Sequence, residues 1–231
     1  MNYNDYIVVN YAIPFLGIII TFIAQMYVNN SYNKYKYQGL RKKTTGSKIA
    51  RTILDRNGLT DVKVVEINGN LTDHYDPKEK VVSLSTDIYN GDTIAAASVA
   101  AHECGHAIQH KEGYLFLKIR SSLVPLVNFS TKIGYLVVII GIIFGATKIA
   151  AIGLILLLAI LLFQLITLPV EFNASNRAKK QLINLNIIYD DELSDSKTML
   201  NAAALTYVAA LITTLLQILR LALIVFGRRD D

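Results

Sequence analysis

The sequence predicts a mainly α-helical, multi-pass membrane protein, with about four transmembrane helices and a small cytoplasmic α+β part containing a short β-sheet. Hydrophobic residues make up 52% of its 231 positions, too many for an ordinary soluble domain. They gather into four runs, residues 6–28, 133–147, 149–170 and 202–226; three are near the roughly 20 residues a helix needs to cross a bilayer, and the second, only 15 long, must borrow from 124–132, giving a span over 124–147. Basic residues collect beside particular ends of these runs, and that asymmetry orients them.

The first run is interrupted only by Asn10, Pro14 and Gln25. Residues 1–5 carry no Lys or Arg, which argues against the basic start of a cleavable signal peptide and predicts an anchor with its N-terminus outside. Between residues 29 and 51 there are seven basic residues and no acid: Lys34, Lys36, Arg41, Lys42, Lys43, Lys48 and Arg51. Such a flank marks the cytoplasmic side and anionic lipid headgroups. The net charge of +5 therefore does not point to nucleic acid. Tyr32, Tyr35 and Tyr37 alternate with lysines, the amphipathic chemistry of a headgroup belt.

The cytoplasmic part is predicted over residues 29–123. Ile49, Ile53 and Leu54 share a face over 46–56, and Gly58 follows as a stop, so a short helix is expected. Residues 62–67, rich in valine and followed by Asn68-Gly69-Asn70, read as a strand and turn, and 71–80 as a polar loop. Val81, Val82, Ser83, Leu84 and Ser85 form a second strand. Asp92 is placed to cap a helix over 93–111, which Gly113 ends. Residues 114–132 mix apolar side chains with Lys118, Arg120 and Lys132, predicting a segment along the membrane surface before the second span. The third run holds no ionisable group. A second cytoplasmic segment, 171–201, then opens with Arg177, Lys179 and Lys180, and Arg220 lies near the end of the fourth run. The soluble part is too short for two domains, so 1–231 reads as one membrane-embedded domain.

The helix over 93–111 carries His102-Glu103-Cys104-Gly105-His106. Histidines four residues apart differ by about 40° around a helix and one turn along it, so both imidazoles can hold one zinc ion. Glu103 is turned away from the metal yet near enough to take a proton from the attacking water. Small residues from Ile94 to Ala101 let this helix pack closely on all sides. Cys104, the single cysteine, excludes an internal disulfide and a thiolate-rich zinc cluster, and points about 200° away from His102 as a buried apolar contact. A catalytic zinc takes three protein ligands, and His74, Asp76, His110, Glu112, Glu171 and the acids of 190–195 are candidates for the third. Four spans bring the chain back inside near Pro169, which places Glu171 on the side of His102.

Four stretches together resemble the YugP-like membrane zinc metallopeptidases, themselves similar in motif to HtpX-type membrane proteases. They are Asp73-His74-Tyr75-Asp76-Pro77, the strand 81–85, the helix from His102 to His110, and Leu168-Pro169-Val170-Glu171-Phe172-Asn173-Ala174-Ser175. The stretch 200–210 and the tail 228–231 look like the same family. The resemblance implies a zincin-like catalytic part hydrolysing polypeptides, with His102, His106 and Glu171 as zinc ligands and Glu103 as base. It also implies that Ser175 takes the outer position at which HtpX-type enzymes place an Asp, and Asn173 one where Asp is expected. By analogy with related zinc proteases, strand 81–85 offers a sheet edge for an extended substrate. His74 and Tyr75 are candidates to stabilise the oxyanion, and His110 lies one turn beyond the ligands. The competing classes are a noncatalytic zinc-binding scaffold, favoured by Asn173 and Ser175, and a metal transporter. The third run offers only Gln164 and Thr167 among its polar groups, which argues against transport.

Overall fold

The computed structural model describes residues 3–227; the tail 228–231 that enters the resemblance lies outside the described residues. Four helices among them are long and apolar enough to cross a membrane. The first, Tyr3–Tyr35, consists of α1 (Tyr3–Ile7), a π-helical turn at Val8–Ala12 and α2 (Ile13–Tyr35). The widened turn contains Asn10, the residue whose carbonyl would crowd the ring of Pro14 in a regular helix. The elements that follow are α3 (Gly46–Arg56), β1 (Lys63–Ile67), β2 (His74–Asp76), β3 (Val81–Ser85), α4 (Thr86–Asn90) and α5 (Ile94–Lys111). The other long helices are α6 (Leu115–Ile143), α7 (Thr147–Asn184) and α8 (Asp190–Phe226). This is a multi-pass α-helical membrane fold with a small α+β part.

The chain forms two compact units. One takes the chain up to Gln25, Ile119–Leu168 and the chain from Thr206 on. Its buried apolar cluster is Val138, Ala150, Leu154, Leu157, Ile218, Leu221 and Val225. The other takes Met26–Lys118 and Pro169–Leu205 and holds the larger core. In it, α3 buries Ile49, Ala50, Ile53 and Leu54, each leucine or isoleucine contributing about 2 kcal/mol by leaving water. Helix α5 buries Ile94 to Ser98, then Ala100, Ala101 and Cys104, which its small side chains permit. Glu192 ties the start of α8 down: one carboxylate oxygen accepts the Tyr189 N–H at 2.8 Å and the other accepts the Arg41 N–H at 2.9 Å.

The sheet has the order β1-β3-β2. β3 runs parallel to β1, from Lys63 opposite Val81 to Ile67 opposite Ser85, and antiparallel to β2, with Tyr75 opposite Val82. The strand Val81, Val82, Ser83, Leu84 and Ser85, expected to be a sheet edge, is therefore the central strand. Its nearly continuous burial agrees, since a strand covered on both sides needs no polar face. The free edges are β1 and the three-residue β2.

The loop expected over 71–80 holds β2, and three other local expectations change. Thr93 rather than Asp92 caps α5, its hydroxyl accepting the Ala96 N–H at 3.2 Å, while the Asp92 carbonyl accepts from Leu40. The stretch 114–132 is not a separate surface segment: α6 begins at Leu115 and continues without a break through Pro125 to Ile143. The turn after it falls at 144–146, where Gly145 takes a φ of 65°, so the helix ends before residue 147.

Candidate metal centre

Helix α5 presents His102 and His106 one turn apart, and α7 brings Glu171 to them. The imidazoles meet edge to face, with centroids 4.8 Å apart. Glu171 Oε2 lies 3.2 Å from His102 Nε2 and 3.5 Å from His106 Nε2. One ligand atom from each of the three side chains falls within 4.8 Å of the others, and Glu171 is only 2% exposed. Two imidazoles and one carboxylate, with donor atoms converging in a buried place, fit a zinc ion with a fourth position left for water.

The close approach of α5 and α7 depends on Gly105. A Cβ there would stand 2.6 Å from the carbonyl oxygen of Ala174, nearer than such atoms pack, so a side chain at this position would push α7 away. The glycine between the histidines thus sets the distance at which Glu171 reaches them.

The outer ring nitrogens are held as well. His106 Nδ1 lies 3.0 Å from Gln109 Oε1, and Ser175 Oγ lies 3.2 Å from His102 Nδ1. Gln109 is fully buried and spends its amide hydrogens elsewhere, Nε2 donating to the Val170 carbonyl at 2.8 Å and to Asn173 Oδ1 at 3.0 Å. Its Oε1 is left as an acceptor, so His106 donates to it through Nδ1 and Nε2 is the ring nitrogen that faces Glu171. Asn173 Oδ1 also accepts from Arg177 Nε at 2.7 Å, and Arg177 pairs with Glu112 at 2.7 Å beyond the end of α5. Sequence reasoning singled out Ser175 and missed Gln109, although its place three residues after His106 puts it on the same helix face.

Burial alone would raise the Glu171 carboxyl, but hydrogen bonds from His102 and His106 hold it well below the usual carboxylate range. For His106, burial opposes the charged form and the facing carboxylates outweigh it, so its proton affinity rises. Both shifts have one cause, the attraction between the buried carboxylate and the imidazoles that face it. Glu103 is 8% exposed and, among the described residues, its carboxylate has no hydrogen-bond partner; burial raises its pKa, against the pull of the two histidines. Cys104, on the far side of the helix, is fully buried with Sγ 3.5 Å from the Ala50 carbonyl, and burial pushes its thiol up.

The remaining sequence candidates lie on β2 and at the end of α5. Tyr75 Oη lies 2.9 Å from His110 Nδ1, and burial pushes the phenol pKa up to about 12. His74 is exposed, its Nδ1 2.9 Å from the Thr72 carbonyl oxygen, and makes no hydrogen bond to the His102, His106 and Glu171 group. Asp73 beside it accepts from the Ser85 N–H at 2.7 Å and from the Ser85 hydroxyl, pinning the end of β3 just past its pairing with β2. Asp76 caps the turn at Lys78 and Glu79, and Glu112 holds Arg177, so neither joins the cluster.

The family described as "putative neutral zinc metallopeptidase" matches residues 10–226. A relative from Bacillus subtilis (strain 168), named "Putative membrane protease YugP", is 44% identical over 212 residues, covering 92% of this chain and 94% of its own. No solved structure matches the chain. With its four spanning helices and its buried histidine–glutamate cluster, the chain belongs to this neutral zinc metallopeptidase family.

Proposed function

We propose that the protein is a membrane-integral zinc endopeptidase that hydrolyses membrane-associated or cytoplasmic polypeptides, a gluzincin in which His102, His106 and Glu171 hold the metal. The observation that carries this reading is the convergence of those three side chains beside a buried glutamate, with both outer ring nitrogens already bonded. Zinc bound there supplies a Lewis acid that polarises a carbonyl and makes water acidic. Glu103 takes the water's proton on its carboxylate and returns it to the leaving amine. Burial raises the Glu103 carboxyl above the ordinary glutamate value, the direction that favours a group which must hold a proton as well as take one. Gln109 and Ser175 keep the imidazoles in the ligating orientation, so Asn173 and Ser175 do not leave the outer positions empty.

The free side of β2 offers main-chain groups to an extended substrate, a role moved there from β3 because β3 is covered on both sides. Tyr75 on that strand, its Oη 2.9 Å from His110 Nδ1, would serve as the donor to a developing oxyanion; His74, with Nδ1 near the Thr72 carbonyl, is exposed on the same strand. The basic flanks at 34–51 and 177–180 support a site on the cytoplasmic face.

The test is Glu103→Gln against His102→Ala, with cleavage and bound zinc measured on each. Glu103→Gln should lose cleavage and keep zinc, whereas His102→Ala should lose both. Normal turnover in Glu103→Gln would sink the assignment. Membrane proteomics on cells carrying Glu103→Gln would then name the substrate as the polypeptide that accumulates.

A further inference from the structure

A polar cavity of about 470 Å³ opens in the second unit, lined by Tyr32, Lys36, Tyr37, Asp87, Asn90 and Thr93 among others. Three of these side chains are left unanswered. Tyr32 is 5% exposed, and among the described residues its buried hydroxyl has no hydrogen-bond partner, which native interiors rarely tolerate. The Lys36 ammonium lies over the rings of Tyr32, at 5.6 Å, and Tyr37, at 4.9 Å, yet among the described residues it forms no ion pair. Asp87, exposed on the same cavity, forms no ion pair among the described residues, with Lys36 or any other cation. The Asn90 amide is already spent on Glu66 at 3.1 Å.

An unpaired cation, an unpaired anion and an unsatisfied donor in one cavity complement a ligand carrying both signs a few ångströms apart. A bare phosphate would meet Lys36 and Tyr32 but be repelled by Asp87. A quaternary ammonium would meet Asp87 without an N–H to donate. Tyr32 follows the end of the first apolar run at residue 28 by four helical residues, about 6 Å of rise, which is headgroup depth. We infer that this cavity recognises a phosphoethanolamine group, its phosphate held by Lys36 and the Tyr32 hydroxyl and its primary ammonium by Asp87. The group can arrive on a lipid or as the free soluble compound. Thr93, which caps α5, shares the wall, so an occupied cavity adjoins the start of the helix that carries His102 and His106.

The test uses the full chain in detergent micelles, with bound ligand counted by native mass spectrometry. The chain is titrated with short-chain phosphatidylethanolamine, phosphatidylcholine and phosphatidylglycerol, with soluble phosphoethanolamine as competitor. Phosphatidylethanolamine should be retained about tenfold more tightly than the other two, and Tyr32→Phe and Asp87→Asn should each abolish the preference. Tyr32→Phe removes a hydroxyl without a protein partner, so its melting temperature should hold or rise, which separates lost binding from lost folding. Competition by soluble phosphoethanolamine would assign recognition to the headgroup alone; no competition beside a retained lipid preference would assign it to the lipid. Equal retention of the three lipids, or a preference that survives both substitutions, would overturn the inference. The measurement needs no peptidase activity and stands apart from the proposed reaction.

Discussion

Gln109 is the residue whose contribution is largest relative to its visibility. It carries no charge and binds no metal, yet it fixes the tautomer of His106 and bonds α5 to Val170 and Asn173 on α7. Replacing it with Leu keeps its bulk and removes all three contacts. Zinc affinity, measured by competition with a chelator, should fall about 10- to 100-fold, and an unchanged affinity would deny Gln109 this role. Ser175→Ala should act the same way through His102. His102, Glu103 and His106 were legible in the sequence because their chemistry fixes their spacing. Gln109 was not, because a glutamine at that spacing looks like any polar residue until its burial is known.

At the scale of elements, contact between α5 and α7 decides whether the site exists. Gly105→Val should cost the protein its zinc while leaving all three proposed ligands in the chain, since the added side chain would meet Ala174. Metal content per protein, read beside circular dichroism to confirm retained helix, would show it. A second tie is Glu112 with Arg177, joining the end of α5 to α7. The Arg177 hydrogen bond lowers the Glu112 carboxyl, so the stability this pair adds is present above the ordinary glutamate value of about 4.3 and is lost as pH falls through the lowered one. Glu112 is half exposed, and solvent holds the contribution to about 0.5 kcal/mol. Thermal unfolding should therefore separate the native chain from Glu112→Gln at pH 7, and the gap should close as pH falls through the lowered value. Both longer strands were legible from their valines, but their order was not. β1 and β3 pair in parallel across the intervening β2, and local alternation carries no trace of so distant a partner.

At the scale of the molecule, the four spans were legible because crossing a bilayer imposes length and composition on a contiguous run. What the runs hid is that the long helices continue past them, α7 from Thr147 through the apolar stretch to Asn184 with Glu171 partway along. Orientation can be read with thiol labels, because Cys104 is buried and should stay silent. A cysteine placed at Gly145 should react with an impermeant reagent on intact cells. One placed at Asn186 should react only after the membrane is opened. The reverse pattern would put the site on the outer face.

The proposed ligands also differ in when they are made. His102 and His106 leave the ribosome roughly 65 residues before Glu171, several seconds at about 5–20 residues per second. Gln109 can orient His106 from within its own helix, but Ser175, which orients His102, emerges after Glu171. The nascent chain thus passes through an interval with half a site, able to hold a cation only loosely. Firm loading waits for α7 to dock, so a peptidase of the proposed kind would stay harmless to its neighbours until its insertion is nearly complete.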